Sequence, residues 1–299
     1  MTAVGVIGLG NMGRGMALRL ASTAHRIAGY DVSREARQQI AAEGIVVVET
    51  LAALSARSDL LILSLPNAEI VEAVMKGVDG VLAHARPGTL IVDTTTSYPA
   101  TTKEVAALAK GKGLAFIDAP VSGGPKGAHA GTMTMVIGGE AADIARAEPI
   151  LEAISAKRVH VGPVGAGHVA KLVNNLLCAS HLLTAAEALA IIRGAGLDPA
   201  QVLAGVNAGS GRSGVTEINL PNWVLNGAFN SGFSIGLMRK DVGLATRLVE
   251  ELGLDLPMAT VVAGIWEEAF TRLGASTDFN AITAHPDFAS SPFHQRGRA

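Results

Sequence analysis

The stretch Ala3-Val-Gly-Val-Ile7-Gly8-Leu-Gly10-Asn-Met-Gly13 reads as an apolar strand, a tight glycine turn and the start of a helix. The helical pattern then runs over Met12–Ala21. Gly8 permits the turn, Gly10 leaves the backbone bare for close approach of a ligand, and Gly13 lets helix pack on strand. The same alternation repeats down the first half of the chain. Strands are expected at Arg26–Tyr30, Ile45–Val48, Asp59–Leu65, Thr89–Val92, Leu114–Asp118, Thr132–Ile137 and Arg158–Val161. Helices are expected at Leu51–Ala56, Glu69–Met75, Pro99–Lys110 and Ala141–Ile154. Strands alternating with helices imply an α/β fold with a doubly wound, mostly parallel sheet.

In such sheets ligands sit beyond the carboxyl ends of the strands. The helix that follows Gly10 offers bare backbone amides to a pyrophosphate. Asp31, at the end of the second strand, is placed to hold the ribose hydroxyls of an adenosine. Its charge would repel a 2′-phosphate, so NAD is expected over NADP, with Arg34 close enough to modify that choice. The alternative role for Asp31 is a helix cap ahead of Ser33. Three further loops lie at strand ends. Leu65-Pro66-Asn67 follows Asp59–Leu65, the strand read as fully buried. Asp93-Thr94-Thr95-Thr96-Ser97-Tyr98-Pro99 brings a row of hydroxyls, of which Ser97 suits an N-cap. Asp118-Ala-Pro-Val-Ser122-Gly123-Gly124-Pro125 joins a hydroxyl to consecutive glycine amides, which suits a carboxylate or simply a flexible loop.

After Gly162 the pattern turns all-helical, so the first domain is read as residues 1–162 and an all-α domain as residues 163–299. The second opens on Gly165-Ala-Gly-His-Val-Ala-Lys171-Leu-Val-Asn174-Asn175, the start of a long apolar helix reaching about Arg193. Lys171, Asn174 and Asn175 share one face of it. Desolvation and the positive end of the helix dipole are both expected to favour a neutral Lys171, fit to exchange protons. The competing reading is a lysine that reaches solvent beside two amides that fix a helix start. Further helices are expected at Pro199–Val206, Asn219–Leu225, Leu237–Leu252 and Met258–Leu273. Gly209–Gly214 reads as a mobile loop, and the tail from Asp278 as irregular.

Composition narrows the function classes. The chain has 299 residues, 49% apolar and 17% charged, with a net charge of −2. Nothing there favours nucleic acid or an anionic membrane as partner. The one cysteine, Cys178, excludes an internal disulfide, and the N-terminus reads as a strand and not a leader, so a cytoplasmic protein is expected. The apolar segment Leu172–Ile192 carries Asn174, Asn175, His181 and Glu187 and is read as a buried helix, not a membrane span. The eight histidines show no ligand spacing, and no metal site is expected.

Taken together, these motifs resemble the β-hydroxyacid dehydrogenase family. Gly8-Leu9-Gly10-Asn11-Met12-Gly13 is similar to its cofactor fingerprint, Asp118–Gly124 to its substrate loop, Gly165–Asn175 to its catalytic helix, and Lys240-Asp241 to its Lys-Asp pair. The resemblance implies a Rossmann-type domain, an all-α domain, a long interdomain helix, and a homodimer or homotetramer. It implies Lys171 as general acid/base, with Asn175 holding the substrate nearby. Ser122, Gly123 and Gly124 would bind the substrate carboxylate, and Phe233 and Asp241 would help close the site. Thr96 would lie by the nicotinamide, Lys240 would touch cofactor, and Leu65 and Pro66 would line the cofactor cleft. The segments Ser210–Thr216 and around Tyr98 would line the variable end of the pocket. The implied reaction is hydride transfer between NAD, or NADP, and a short 3-hydroxyacid or its semialdehyde. A 6-phosphogluconate-type enzyme would have histidine at Asn174 and a longer chain. An imine reductase usually lacks a lysine at position 171, and a non-catalytic dinucleotide-binding scaffold would not need Lys171 and Asn175.

Overall fold

The computed structural model describes residues 1–285. The strands are β1 (Ala3–Ile7), β2 (Arg26–Tyr30), β3 (Val46–Val47), β4 (Leu60–Leu63), β5 (Leu90–Asp93), β6 (Ala115–Asp118), β7 (Val121–Ser122), β8 (Met133–Gly138) and β9 (Ser155–Gly162). They form one sheet in the order β3-β2-β1-β4-β5-β6-β8-β7, with β9 on the other side of β8. Pairing is parallel from β3 to β6 and between β8 and β9, and antiparallel where β8 meets β6 and β7. The strand order reverses at β1, which opens a crevice at its carboxyl end, where Gly8–Gly13 lies.

Every residue of β4 and β5 is buried, as expected for strands covered by helices on both faces. Successive side chains divide between two cores. Val4, Val6, Ile62 and Val92 join Met16 and Leu20 on one face. Ile7, Leu61, Leu63 and Ile91 join Val71 and Val105 on the other.

The first unit departs from the pattern read in the sequence at several points. Helix Arg34–Ala42 was not anticipated, because Ile40 is its only buried residue and no apolar stripe marks it. Ser33 caps it by accepting from Ala36 N at 3.2 Å. Between Ser122 and β8 the chain forms the short helix Gly124–Ala130 instead of an open loop. Pro99–Gly111 is helical as expected, but Tyr98 occupies its N-cap, and no side chain caps it, so Ser97 does not serve there.

Two compact units divide at Lys171 and Leu172, within the helix Ala166–Gly194. The physical reason lies at Asp118, whose carboxylate accepts from Gly165 N at 2.7 Å and His168 N at 2.8 Å. Those bonds make the helix's first turns part of the sheet unit.

The second unit is all-helical. Its helices Pro199–Ala208, Ile235–Glu251 and Pro257–Leu273 pack with the remainder of Ala166–Gly194 around Leu182, Leu189, Leu220, Met238 and Trp266. The helix Ala166–Gly194 is long and apolar enough to cross a bilayer, yet Ala179, Leu182 and Leu189 are wholly buried within the second unit. Val215–Val224 is a π-helix, not the expected α-helical Asn219–Leu225. Pro221 inside it has no N–H, and its ring would clash with a carbonyl one α-turn back; the wider turn avoids this. The described part of the tail is also ordered. Asp278 caps the 3₁₀ turn Phe279–Ala284 and accepts from Ser231 N and Oγ, each at 2.6 Å. Phe279 and Ile282 are buried there, an anchoring that the polar tail sequence did not advertise. The rest of the expected irregular tail, residues 286–299, lies outside the described residues.

Candidate active site

The glycine turn has the shape a dinucleotide needs. Gly8 stands at φ +90°, and a side chain there would strike the Ser64 carbonyl oxygen. A side chain on Gly13 would strike the Gly8 carbonyl oxygen, whereas Gly10 faces open space. Gly10 is the N-cap of helix Asn11–Ala21 and has no capping side chain. The bare amide end therefore faces a gap, the arrangement that accepts a pyrophosphate. Leu9, Gly10, Asn11, Arg14, Ser33, Glu35, Ala36 and Gln39 line a cleft of about 230 Å³ beside it. Met12 packs from below, against the sheet's first core.

Asp31 bonds to two residues of that cleft, Leu9 and Ser33, and is not the helix cap. Its Oδ2 accepts from Leu9 N and its Oδ1 from Ser33 N, each at 2.7 Å. Those two bonds fix a carboxylate between the glycine turn and the next helix. Arg34, the first residue of that helix, is exposed, and Arg37 Nη1 donates to the Asp31 backbone carbonyl at 2.5 Å. These residues fit a nicotinamide dinucleotide: a bare amide end for the diphosphate and a fixed anion for ribose hydroxyls.

The hydroxyl row after β5 sorts itself by burial. Thr94 Oγ1 donates to Leu63 O at 2.6 Å, Thr95 Oγ1 accepts from Leu65 N at 3.1 Å, and Ser97 is wholly buried. Thr96 alone in this row is not buried. Leu65 is thereby tied to the Thr95 loop, and Pro66 follows it toward the Asn67-capped helix Ala68–Lys76. Tyr98, expected near the pocket's variable end, is 1% exposed.

Beyond β6 the chain brings Ser122 to Lys171. Lys171 Nζ donates to Ser122 Oγ at 2.9 Å, and the lysine is only 8% exposed. It does not reach out to solvent. Gly123 at φ +126° and Gly124 at φ +63° turn the chain immediately after Ser122. In the second unit, Asn175 Nδ2 donates to Asp241 Oδ2 at 2.5 Å, and its Oδ1 accepts from Asn174 Nδ2 at 3.0 Å. The Asn175 amide is therefore held in one orientation, with one Nδ2 hydrogen uncommitted by these bonds. Lys240 Nζ lies 3.1 Å from Asp241 Oδ1. Phe233 meets Phe279 edge-to-face at 5.2 Å.

One network went unread in the sequence. β5 and β6 both end on aspartate, and their register sets Asp93 beside Asp118. His168 is buried between them, its Nε2 4.0 Å from Asp93 Oδ2 and its Nδ1 3.9 Å from Asp118 Oδ2. The available signal was faint: two apolar strands each closing on Asp, and a histidine one turn before Lys171. Burial pushes the Asp93 carboxyl above its usual range, with His168 opposing that shift and Asp118 adding to it. Asp93 Oδ2 has no hydrogen-bond partner, which fits a disfavoured charge.

That shift has a stability consequence with a definite sign. An acid whose folded pKa is raised costs nothing below its unfolded pKa, where both states hold the proton. Stability is lost as pH rises from there through the folded pKa. Asp93→Asn removes this loss, so the stability difference, variant minus unmodified, is expected to grow as pH rises through that window. Urea midpoints of both proteins across the pH range read it, and a pH-independent difference contradicts it.

Residues 3–162 match the family model described as the NAD binding domain of 6-phosphogluconate dehydrogenase. Residues 165–285 match the NAD-binding domain of NADP-dependent 3-hydroxyisobutyrate dehydrogenase. The chain belongs to the β-hydroxyacid dehydrogenase family. A 2-(hydroxymethyl)glutarate dehydrogenase of Eubacterium barkeri is 38% identical over 88% of each chain. An NAD-dependent L-serine dehydrogenase of Pseudomonas aeruginosa is 36% identical, over 94% of this chain and 97% of that one. The solved 3-hydroxyisobutyrate dehydrogenase of Mycobacterium tuberculosis, with L-serine, superposes at a TM-score of 0.89 and 34% identity, covering 95% of this chain and 98% of that one. An imine reductase from Myxococcus stipitatus, at 19% identity and a TM-score of 0.63, shares the fold alone. The protein is thus an NAD(P)-dependent oxidoreductase of hydroxyacids, built on a Rossmann-type sheet followed by an all-helical unit.

Proposed function

We propose that this dehydrogenase oxidises a short acid of the form HOCH₂–CHR–COO⁻, or reduces the matching semialdehyde, with Lys171 as general acid/base and NAD preferred. The carrying observation is the buried 2.9 Å bond between Lys171 Nζ and Ser122 Oγ. The names of the three hydroxyacid-dehydrogenase relatives support the formula. Their acids share the β-hydroxymethyl carboxylate and differ only in R.

A bound nicotinamide supplies the hydride acceptor or donor. Lys171, neutral, takes the hydroxyl proton on its nitrogen as the carbinol C–H pair departs as hydride. The yield is a carbonyl, a reduced nicotinamide and a protonated lysine, and reduction runs the same transfers backward. Ser122 accepts from Lys171 and keeps its own hydroxyl hydrogen for a substrate carboxylate oxygen, beside Gly123 and Gly124. By the family resemblance, Asn175, held by Asp241, would position the substrate hydroxyl, and Phe233 and Asp241 would help close the site. Thr96 and Lys240 take the nicotinamide and cofactor roles, and Leu65 and Pro66 the cleft wall. A homodimer or homotetramer accords with exposed Val173 and Leu177 on one long helix, and light scattering reads the assembly directly; the cytoplasmic location rests on the single cysteine alone.

The test is a panel of acids varying R through methyl, amino and carboxyethyl, each with NAD and NADP. One acid of this form is expected to give the highest kcat/KM, and NAD to exceed NADP. The fixed Asp31 carboxylate is the reason for the second expectation. Asp31→Ser should raise kcat/KM with NADP roughly tenfold or more, because like charges in contact cost several kcal/mol. Equal use of both cofactors by the unmodified protein would assign control to Arg34 or Arg14 instead.

A further inference from the structure

We propose that His168 is a positioning residue for proton transfer at Lys171: its ring fastens the first turn of the lysine's helix to the Thr95–Thr96 backbone. The inference rests on the acid/base reading of Lys171. His168 is wholly buried. Its Nε2 lies 2.8 Å from Thr95 O and its Nδ1 2.7 Å from Thr102 Oγ1. A carbonyl oxygen only accepts, so Nε2 carries a hydrogen. A neutral ring then accepts the Thr102 hydroxyl at Nδ1. A charged ring donates to Thr102, whose hydroxyl turns to Tyr98 O at 3.1 Å. In either state the ring spans the same two elements.

The tie reaches the residues that matter to the reaction. On the helix, His168 stands three positions before Lys171, and Asp118 holds its backbone N–H at 2.8 Å. Gly167, beside it, sits so close to the sheet that a side chain would come within 2.7 Å of Asp118 O and Val136 O. On the loop, Thr95 O belongs to the peptide unit that joins Thr96. Thr95 N is held by Asp93 Oδ1 at 3.0 Å, and Thr95 Oγ1 accepts from Leu65 N at 3.1 Å. One ring therefore joins the loops after β4 and β5 to the lysine's helix. Proton transfer with hydride departure needs these parts in register, and a misplacement of about 1 Å can cost about a hundredfold in rate. A leucine of similar bulk would fill the space and leave Thr95 O buried without its donor.

The test uses the full chain with His168→Leu and His168→Gln. The glutamine amide reaches about where Nε2 lies and restores the donor to Thr95 O. In His168→Leu, kcat is expected to fall about 10- to 100-fold while the NAD(H) dissociation constant stays unchanged. In His168→Gln most of kcat should return. A leucine variant with the unmodified kcat, or a glutamine variant as impaired as the leucine one, overturns the proposal. If His168→Leu does not fold, His168→Asn decides: its shorter amide reaches about where Nδ1 lies and leaves Thr95 O without its donor, so reduced kcat with intact cofactor affinity supports the proposal, and unmodified kcat overturns it. Lys171→Ala is assayed beside them. Turnover retained there removes the acid/base reading and this inference with it. An inactive Lys171→Ala beside a fully active His168→Leu removes this inference alone.

Discussion

Lys171→Ala is expected to lose about 10²–10⁴ in kcat, the range that positioned proton transfer contributes. NAD(H) affinity should hardly change. The fingerprint Gly8–Gly13 and Asp31 bind through contacts that do not include Lys171: their bonds run among β1, β2 and the helices that follow. What the substitution does remove is the nitrogen of a buried lysine that donates to Ser122 Oγ. A lysine with a merely structural role would leave kcat intact and lower stability. Rapid-mixing absorbance of NADH formation, with cofactor titration by fluorescence, separates the two. Turnover near that of the unmodified protein ends the acid/base assignment.

Ser122→Ala is expected to act selectively. A hydrogen bond to a charged group contributes about 1.5–3 kcal/mol, which is roughly ten- to a hundredfold in kcat/KM. Carboxylate substrates should suffer that loss, and uncharged analogues of the same length should be nearly unaffected. The variant also frees Lys171 from its bond to Ser122 Oγ, a change felt by both classes alike. The ratio of the two kcat/KM values is therefore the informative quantity. A ratio equal to that of the unmodified protein places the carboxylate elsewhere.

Local sequence carried most of the first unit. Strand β1, its glycine turn and its helix were legible because turn geometry and apolar periodicity lie within a dozen residues. β4 and β5 were legible because double-sided burial writes a continuous apolar run. Helix Arg34–Ala42 was not, since one buried residue makes no stripe. The π-helix was not, since α-helical periodicity persists while Pro221 widens the turn. Within the site, Ser122 and Lys171 were each legible from local residue chemistry as well as from motif resemblance, but their hydrogen bond is a tertiary fact that no spacing encodes. The Asp93–His168–Asp118 network shows the limit most clearly. Its two acids meet through the β5–β6 register, and its histidine reaches them only once the long helix docks on the sheet. Each residue alone reads as an ordinary strand end or helix member.

The central claim is that this family member acts on a β-hydroxymethyl carboxylate held at Ser122 and deprotonated by Lys171. The most direct measurement compares kcat/KM of the unmodified protein for an acid HOCH₂–CHR–COO⁻ and for its uncharged amide, with NAD. At least a roughly tenfold preference for the acid is predicted, from the charge-assisted bonds the amide cannot make. An amide used as well as the acid would contradict the account and bring the imine and ketone reductase chemistry forward.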